Sequence, residues 1–114
     1  MAQRPLGAAA EFTRLRFNGL TRPITNVVSV DLTGTNRIAP NNPNRIELIV
    51  VNAGTDIVTM DWNSPVVSGQ GIRIAPGNTA IFHVDEDGDL VGWELFGIGS
   101  TGAQSCWVTQ VVAE

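Results

Sequence analysis

Apolar and polar residues alternate along most of this chain in short runs with a period of two. Near the start of the main part, Val28, Val30 and Leu32 alternate with Ser29 and Asp31. A period of two places each set of side chains on one face of an extended segment. The pattern therefore predicts half-buried β-strands, and the glycine, proline and asparagine residues between the runs predict turns.

Two neighbouring runs in the middle of the chain predict a hairpin. Arg45–Val51 begins with alternation and ends continuously apolar, as in a strand that finishes buried on both faces. Asn52–Thr55 is a turn that contains glycine, and Asp56–Trp62 follows as a second strand. Strands joined in this way usually pair with each other.

The second half of the chain continues the same punctuation. Ala75–Asn78 has proline and glycine at its two central positions, which is the composition of a type II turn. The acidic segment Asp85–Asp89 predicts another turn. Further strands are predicted at Ile72–Ile74, Ala80–Val84, Val91–Leu95 and Gln104–Val112. About seven or eight short strands in all predict an all-β domain, a single antiparallel β-sandwich or jelly roll over residues 25–114.

Residues 1–24 have a different character, and we predict an extended N-terminal arm. Thr13, Leu15 and Phe17 alternate with arginines in a short strand pattern, although Ala8–Arg16 also contains good helix formers. The apolar side chains of an arm need a partner surface. The candidate partner-binding residues are Phe12, Arg14, Leu15, Arg16 and Phe17.

Composition narrows the classes of function. The chain has 114 residues, a net charge of −4 and seven basic residues, all arginine, so a nucleic-acid partner is not expected. One cysteine, Cys106, permits no disulfide within the chain and is expected to be a small buried side chain. No stretch has the roughly 20 apolar residues of a membrane helix. Residues 1–10 do not resemble a signal peptide, so we expect synthesis in the cytoplasm.

Few residues suggest catalysis or metal binding. Asp85–Asp89 is a cluster that could hold a hard cation such as calcium, but its glycine comes too early for the helix-loop-helix calcium motif. A solvated turn is the favoured interpretation. His83 lies near Asp85, yet that pair without a nucleophile does not form a catalytic set. We therefore expect no enzyme activity, no metal and no cofactor.

The three tryptophans raise the possibility of sugar binding. Trp62, Trp93 and Trp107 lie in predicted strands, so at least two are expected in the core. Trp62 comes at a strand end, before Asn63, and is the candidate for contact with a glycan. The absence of tyrosine weakens this alternative, because tyrosine is a favoured contact residue.

The segment Asn44–Thr55, followed by Val58 and Gly71–Gly77, resembles small β-sandwich structural proteins from the virions of tailed bacteriophages. Its features are a strand ending in Asn-Ala-Gly-Thr and an Ile-Ala-Pro-Gly turn. The resemblance implies a non-enzymatic head decoration or cement protein on the capsid surface. Its partners would be the major capsid protein and copies of itself. The alternative is a carbohydrate- or receptor-binding module of a phage tail or fibre.

Overall fold

The computed structural model describes residues 21–113, which form eight strands paired only in antiparallel fashion. A short helix, α1 (Val84–Asp87), and a 3-10 helix (Gly88–Gly92) follow the sixth strand. The strands are β1 (Thr21–Val30), β2 (Asn36–Ala39), β3 (Arg45–Asn52), β4 (Val58–Asp61), β5 (Ile72–Ile74), β6 (Thr79–His83), β7 (Leu95–Gly99) and β8 (Gln104–Ala113).

The strands form two four-stranded sheets in a jelly-roll arrangement. One sheet has the order β1-β8-β3-β6, and the other has the order β2-β7-β4-β5. Strands that follow each other in sequence lie in different sheets, except for β4 and β5. This order distinguishes a jelly roll from an immunoglobulin-like sandwich. The predicted all-β fold is confirmed.

The predicted hairpin between Arg45–Val51 and Asp56–Trp62 is wrong, because β3 and β4 belong to different sheets. β3 pairs with β6 and β8 instead. The buried carboxamide of Asn52 holds the crossing between sheets. Its Nδ2 donates to the carbonyls of Asp56 and Ile74, and its Oδ1 accepts from the Gly54 N–H. A turn with glycine fits a hairpin and a crossing equally well.

The core lies between the sheets and is built by the alternation read from the sequence. In β8, Cys106, Val108 and Val112 are buried, whereas Ser105 and Trp107 are exposed. The buried cluster contains Val30, Ile38, Ala39, Leu48, Val50, Val58, Met60, Ile74, Val91, Leu95, Cys106 and Val108.

Several element boundaries differ from the prediction. β1 begins at Thr21, so residues 21–24 belong to the sheet and not to the arm. β2 was missed because it has only four residues, between a turn that contains Gly34 and a loop of prolines and asparagines that begins at Pro40. The predicted strand at Val91–Leu95 is mostly 3-10 helix and bend, with β7 beginning at Leu95. Leu32 lies beyond β1 and is exposed.

Other local predictions are confirmed. The Ala75–Asn78 turn has Gly77 at a φ of 80° and a hydrogen bond of 3.0 Å from the Asn78 N–H to the Ala75 carbonyl. Positive φ at the third position is the geometry for which glycine is favoured. Among residues 21–113, no helix has the length and apolar character needed to cross a bilayer.

Candidate functional site

One feature of the fold that suggests a function is the outer surface of the β1-β8-β3-β6 sheet. We call this surface, which faces away from the core, the outer face. Three of its large apolar side chains are exposed: Val27 by 67%, Trp107 by 57% and Ile81 by 59%. Isolated apolar side chains are common on protein surfaces, but here the strand register brings them into adjoining rows.

Trp107 lies near the centre of the outer face. In the register of the sheet, Trp107 is opposite Val27 of β1 on one side and Val51 of β3 on the other. Thr79 of β6 completes this row, opposite Val51. Side chains directly opposite each other on neighbouring strands have Cβ atoms only about 5 Å apart. The side chains of this row therefore form a continuous surface that includes Trp107.

The next row is also uncharged. Thr109 of β8 is opposite Thr25 and Ile49, and Ile49 is opposite Ile81. The hydroxyls of Thr25 and Thr109 lie 3.1 Å apart and share a hydrogen bond. That bond satisfies polar groups within the row and leaves Ile49 and Ile81 as its apolar half.

Charge enters only at one end of the outer face. Glu47 is opposite His83 and Val111, and Val111 is opposite Pro23. At the other end, Ser29 pairs with Ser105. The outer face thus has an apolar centre with polar ends, and protein interfaces often have an apolar core and a polar rim.

The expectation that at least two tryptophans are core residues is wrong. Trp93 is 49% exposed and Trp107 is 57% exposed, whereas Trp62 is half-buried. For Trp107 a signal was present in the sequence. Its neighbours Cys106 and Val108 are smaller and apolar, and strict alternation then requires Trp107 to face the opposite side of the strand.

The predicted arm residues lie outside the described part of the chain, which begins at Thr21. They are Phe12, Arg14, Leu15, Arg16 and Phe17. The structure does describe the strand they lead into. β1 is an edge strand that pairs over all ten residues with β8, and within residues 21–113 no strand pairs with its other edge.

Trp62, the candidate glycan contact, follows the last residue of β4 and packs against the core cluster. Its ring meets that of Phe82 edge-on, with centroids 5.2 Å apart and an interplanar angle of 71°. The backbone N–H of Trp62 donates to Asp61 Oδ1 at 2.7 Å. The packing of the ring against Phe82 leaves only part of it to a ligand.

The acidic segment forms helical turns rather than the predicted hairpin turn. His83 caps α1, with its Nδ1 accepting from the Asp85 N–H at 3.1 Å, and the His83 N–H donates to Asp87 Oδ2 at 2.9 Å. Acidic side chains are favourable in a first helical turn. Within residues 21–113, no three His, Cys, Asp or Glu side chains are grouped so as to hold a metal ion.

Arg45 is a buried charge that the sequence did not single out. Its guanidinium donates to Gln110 Oε1 at 2.9 Å, to the Val91 carbonyl at 2.9 Å, to the Trp93 carbonyl at 3.2 Å and to the Pro40 carbonyl. Burial lowers the pKa of Arg45, but a guanidinium still stays protonated. The side chain therefore anchors the 3-10 helix segment to the sheet.

Comparison with known proteins supports the fold alone. No family model and no curated protein matches the chain. Among solved structures, it is similar to a cupin-superfamily sugar phosphate isomerase from Silicibacter pomeroyi, with 15% identity, a TM-score of 0.51, and coverage of 85% of this chain and 54% of that one. The chain thus spans about half the length of that isomerase.

A second similarity is to a protein of Bacillus endospore appendages, described as disulfide-linked pili. The identity is 20% and the TM-score 0.40, with coverage of 84% of this chain and 92% of that one.

Proposed function

We propose that this chain is a non-enzymatic structural protein of a phage virion, a head decoration or cement protein that binds the outside of the major capsid protein shell. The observation that carries the proposal is the outer edge of β1. Among residues 21–113, no strand pairs with this edge of a ten-residue strand, which follows the candidate arm in sequence. The resemblance of Asn44–Thr55 and Gly71–Gly77 to phage virion proteins supports it.

A free strand edge and an extended arm offer one physical mode of attachment. An extended segment that joins a sheet edge gains backbone hydrogen bonds, and its alternate side chains enter pockets. Phe12, Leu15 and Phe17 would supply the apolar anchors on the capsid, with Arg14 and Arg16 pairing with carboxylates. Native proteins usually protect the edge of a long strand from pairing with other chains. The length of β1 therefore suits pairing with a strand of a partner.

Co-sedimentation with capsids that lack this protein tests the proposal. The wild-type chain should bind saturably, at a fixed ratio to the major capsid protein. The full-length triple variant F12S/L15S/F17S should bind at least ~10-fold more weakly, because three apolar anchors are lost. The control T13S keeps those anchors and should bind like the wild type. Absence of binding by folded wild-type protein would overturn the proposal.

The alternative is a carbohydrate- or receptor-binding module of a phage tail or fibre. It is favoured by one observation, the half-buried Trp62 ring that packs edge-on against Phe82, with the Asp61 carboxylate next to it in the chain. A glycan array would show binding that W62A removes. Because Trp62 also packs against the core, W62F serves as the control that keeps the ring contact. Wild-type protein that binds no glycan would exclude this alternative.

A further inference from the structure

We propose that the outer face binds a second copy of this chain, in a twofold dimer with Trp107 near its centre. The proposal rests on the described sheet alone and does not depend on binding to a capsid. The relevant side chains are Val27, Trp107 and Val51 in one row and Ile49 and Ile81 in the next.

The size of the outer face suits a modest dimer. Its strands contain ten, ten, eight and five residues. At about 3.3 Å per residue and about 4.8 Å between strands, they cover ~520 Å² of sheet. Two copies would therefore bury ~1,050 Å², which reaches the roughly 1,000 Å² expected of a specific interface. Interfaces at this low end of the size range are usually weak, so we expect a dissociation constant in the micromolar range.

The charge distribution favours a second copy as the occupant. The chain carries a net charge of −4, so two copies repel each other unless they meet where charge is absent. The rows containing Trp107 and Thr109 have no charged side chain. A twofold axis that lies in the interface and runs across the strands would place Glu47 of one copy over the Ser29–Ser105 end of the other. Like charges would then not face each other.

The position of β1 favours a second copy of the chain over the N-terminal segment as the partner of the outer face. The segment enters at Thr21, at the outer strand of the sheet, whereas Trp107 lies in the second strand. A strand added to β1 would extend the sheet sideways, because backbone pairing runs in the plane of the sheet. Such pairing leaves the centre of the outer face available to a second copy.

Sedimentation equilibrium of the full-length chain between about 1 and about 500 μM tests the proposal. The wild type should change from monomer to dimer across this range. Because each copy contributes Trp107 at the centre of the interface, W107K should raise the dissociation constant at least ~100-fold. The matched control W93K replaces an exposed tryptophan in the segment after the 3-10 helix and should dimerise like the wild type.

Two results would overturn this inference. One is a wild-type chain that stays monomeric over the whole range. The other is a dimer that persists in W107K but is lost in the full-length arm variant F12S/L15S/F17S, which would assign self-association to the N-terminal segment. Circular dichroism of each variant verifies that the sheet content is unchanged. Capsid co-sedimentation is read separately, so a failure of the decoration proposal leaves this test intact.

Discussion

The two sheets of this jelly roll differ in whether a segment of the chain covers their outward surfaces. On the β2-β7-β4-β5 sheet, the segment 63–71 folds back over β4. The Gly69 N–H donates to Thr59 Oγ1 at 3.1 Å, and the Val66 N–H donates to the Gly34 carbonyl at 2.8 Å. Thr59 is thereby fully buried although it points away from the core cluster. The outer face of the β1-β8-β3-β6 sheet has no such cover among the described residues.

The two outward surfaces also differ in charge. Beside the covered region, the second sheet carries exposed Arg73 and Arg37, and Arg37 forms an ion pair with Glu94 at 3.1 Å. The outer face of the first sheet carries Trp107 and Val27 instead. Charged side chains are well solvated on a surface that stays in water. An apolar surface contributes favourable free energy only when it is covered and removed from water. The outer face is therefore the surface through which we propose that the protein assembles.

The largest expected effect on the free energy of unfolding distinguishes the inner face of the β1-β8-β3-β6 sheet from its outer face. Leu48 and Ile49 are neighbours in β3, and Leu48 is fully buried while Ile49 is half-buried. L48A should lower the free energy of unfolding by about 3 kcal/mol, through lost burial and a residual cavity. I49A should lower it by less than half as much in dilute solution. Urea denaturation measures both, and equal losses would contradict the assigned faces.

Substitutions in the segment 63–71, which covers β4, should lower stability nearly as much. Gly71 has a φ of 147°, and an added Cβ would collide with the Met60 carbonyl oxygen. G71A should therefore cost about 2 kcal/mol or more of unfolding free energy. Gly69 is the matched control, because its φ of 80° is also positive but no atom lies within 4 Å of an added Cβ. If G69A cost as much as G71A in thermal unfolding, close packing of this segment on β4 would be refuted.

The inner face can also be probed through Cys106, the neighbour of Trp107. Burial raises the pKa of the Cys106 thiol from 9.0 to about 11. The folded state therefore holds its proton more tightly, and this contribution to stability is complete below pH 9 and is lost as pH rises through 11. In native protein at pH 8, alkylation of Cys106 should be much slower than in urea-unfolded protein. Equal rates would place the thiol on the wrong face.

The smallest effect on stability is expected at Trp107 itself. W107T should change the free energy of unfolding by no more than about 1 kcal/mol in dilute solution, because the side chain is 57% exposed and threonine favours strands. The same substitution should weaken dimerisation strongly. A large loss of stability in the monomer would mean that Trp107 serves folding rather than assembly.

The sequence predicted the alternation of β1, β6 and β8 because these strands have one buried face. It failed at the pairing of β3, where a continuous apolar run has no period to show which strands flank it. The turn at Asn52–Thr55 has the same composition in a hairpin and in a crossing between sheets. Only the whole arrangement of the sheets decides between the two.

The candidate site was only partly predictable. Alternation in β8 placed Trp107 opposite Cys106, yet the size of tryptophan suggested a core residue. The rows across the outer face depend on register between strands distant in sequence, such as Val27 and Trp107, and one sequence does not reveal that pairing. The role of Arg45 was hidden for the same reason, because its acceptors lie at Val91 and Gln110.

The most direct test of the outer face as an assembly surface is acrylamide quenching of Trp107 fluorescence in the full-length W62F/W93F variant, which retains this tryptophan alone. A dimer through the outer face should give strong quenching in dilute protein and protection as concentration rises through the micromolar range. Addition of W107K protein, which should not associate, should leave the quenching unchanged. Quenching that is strong and independent of concentration would show that the outer face is not an assembly surface.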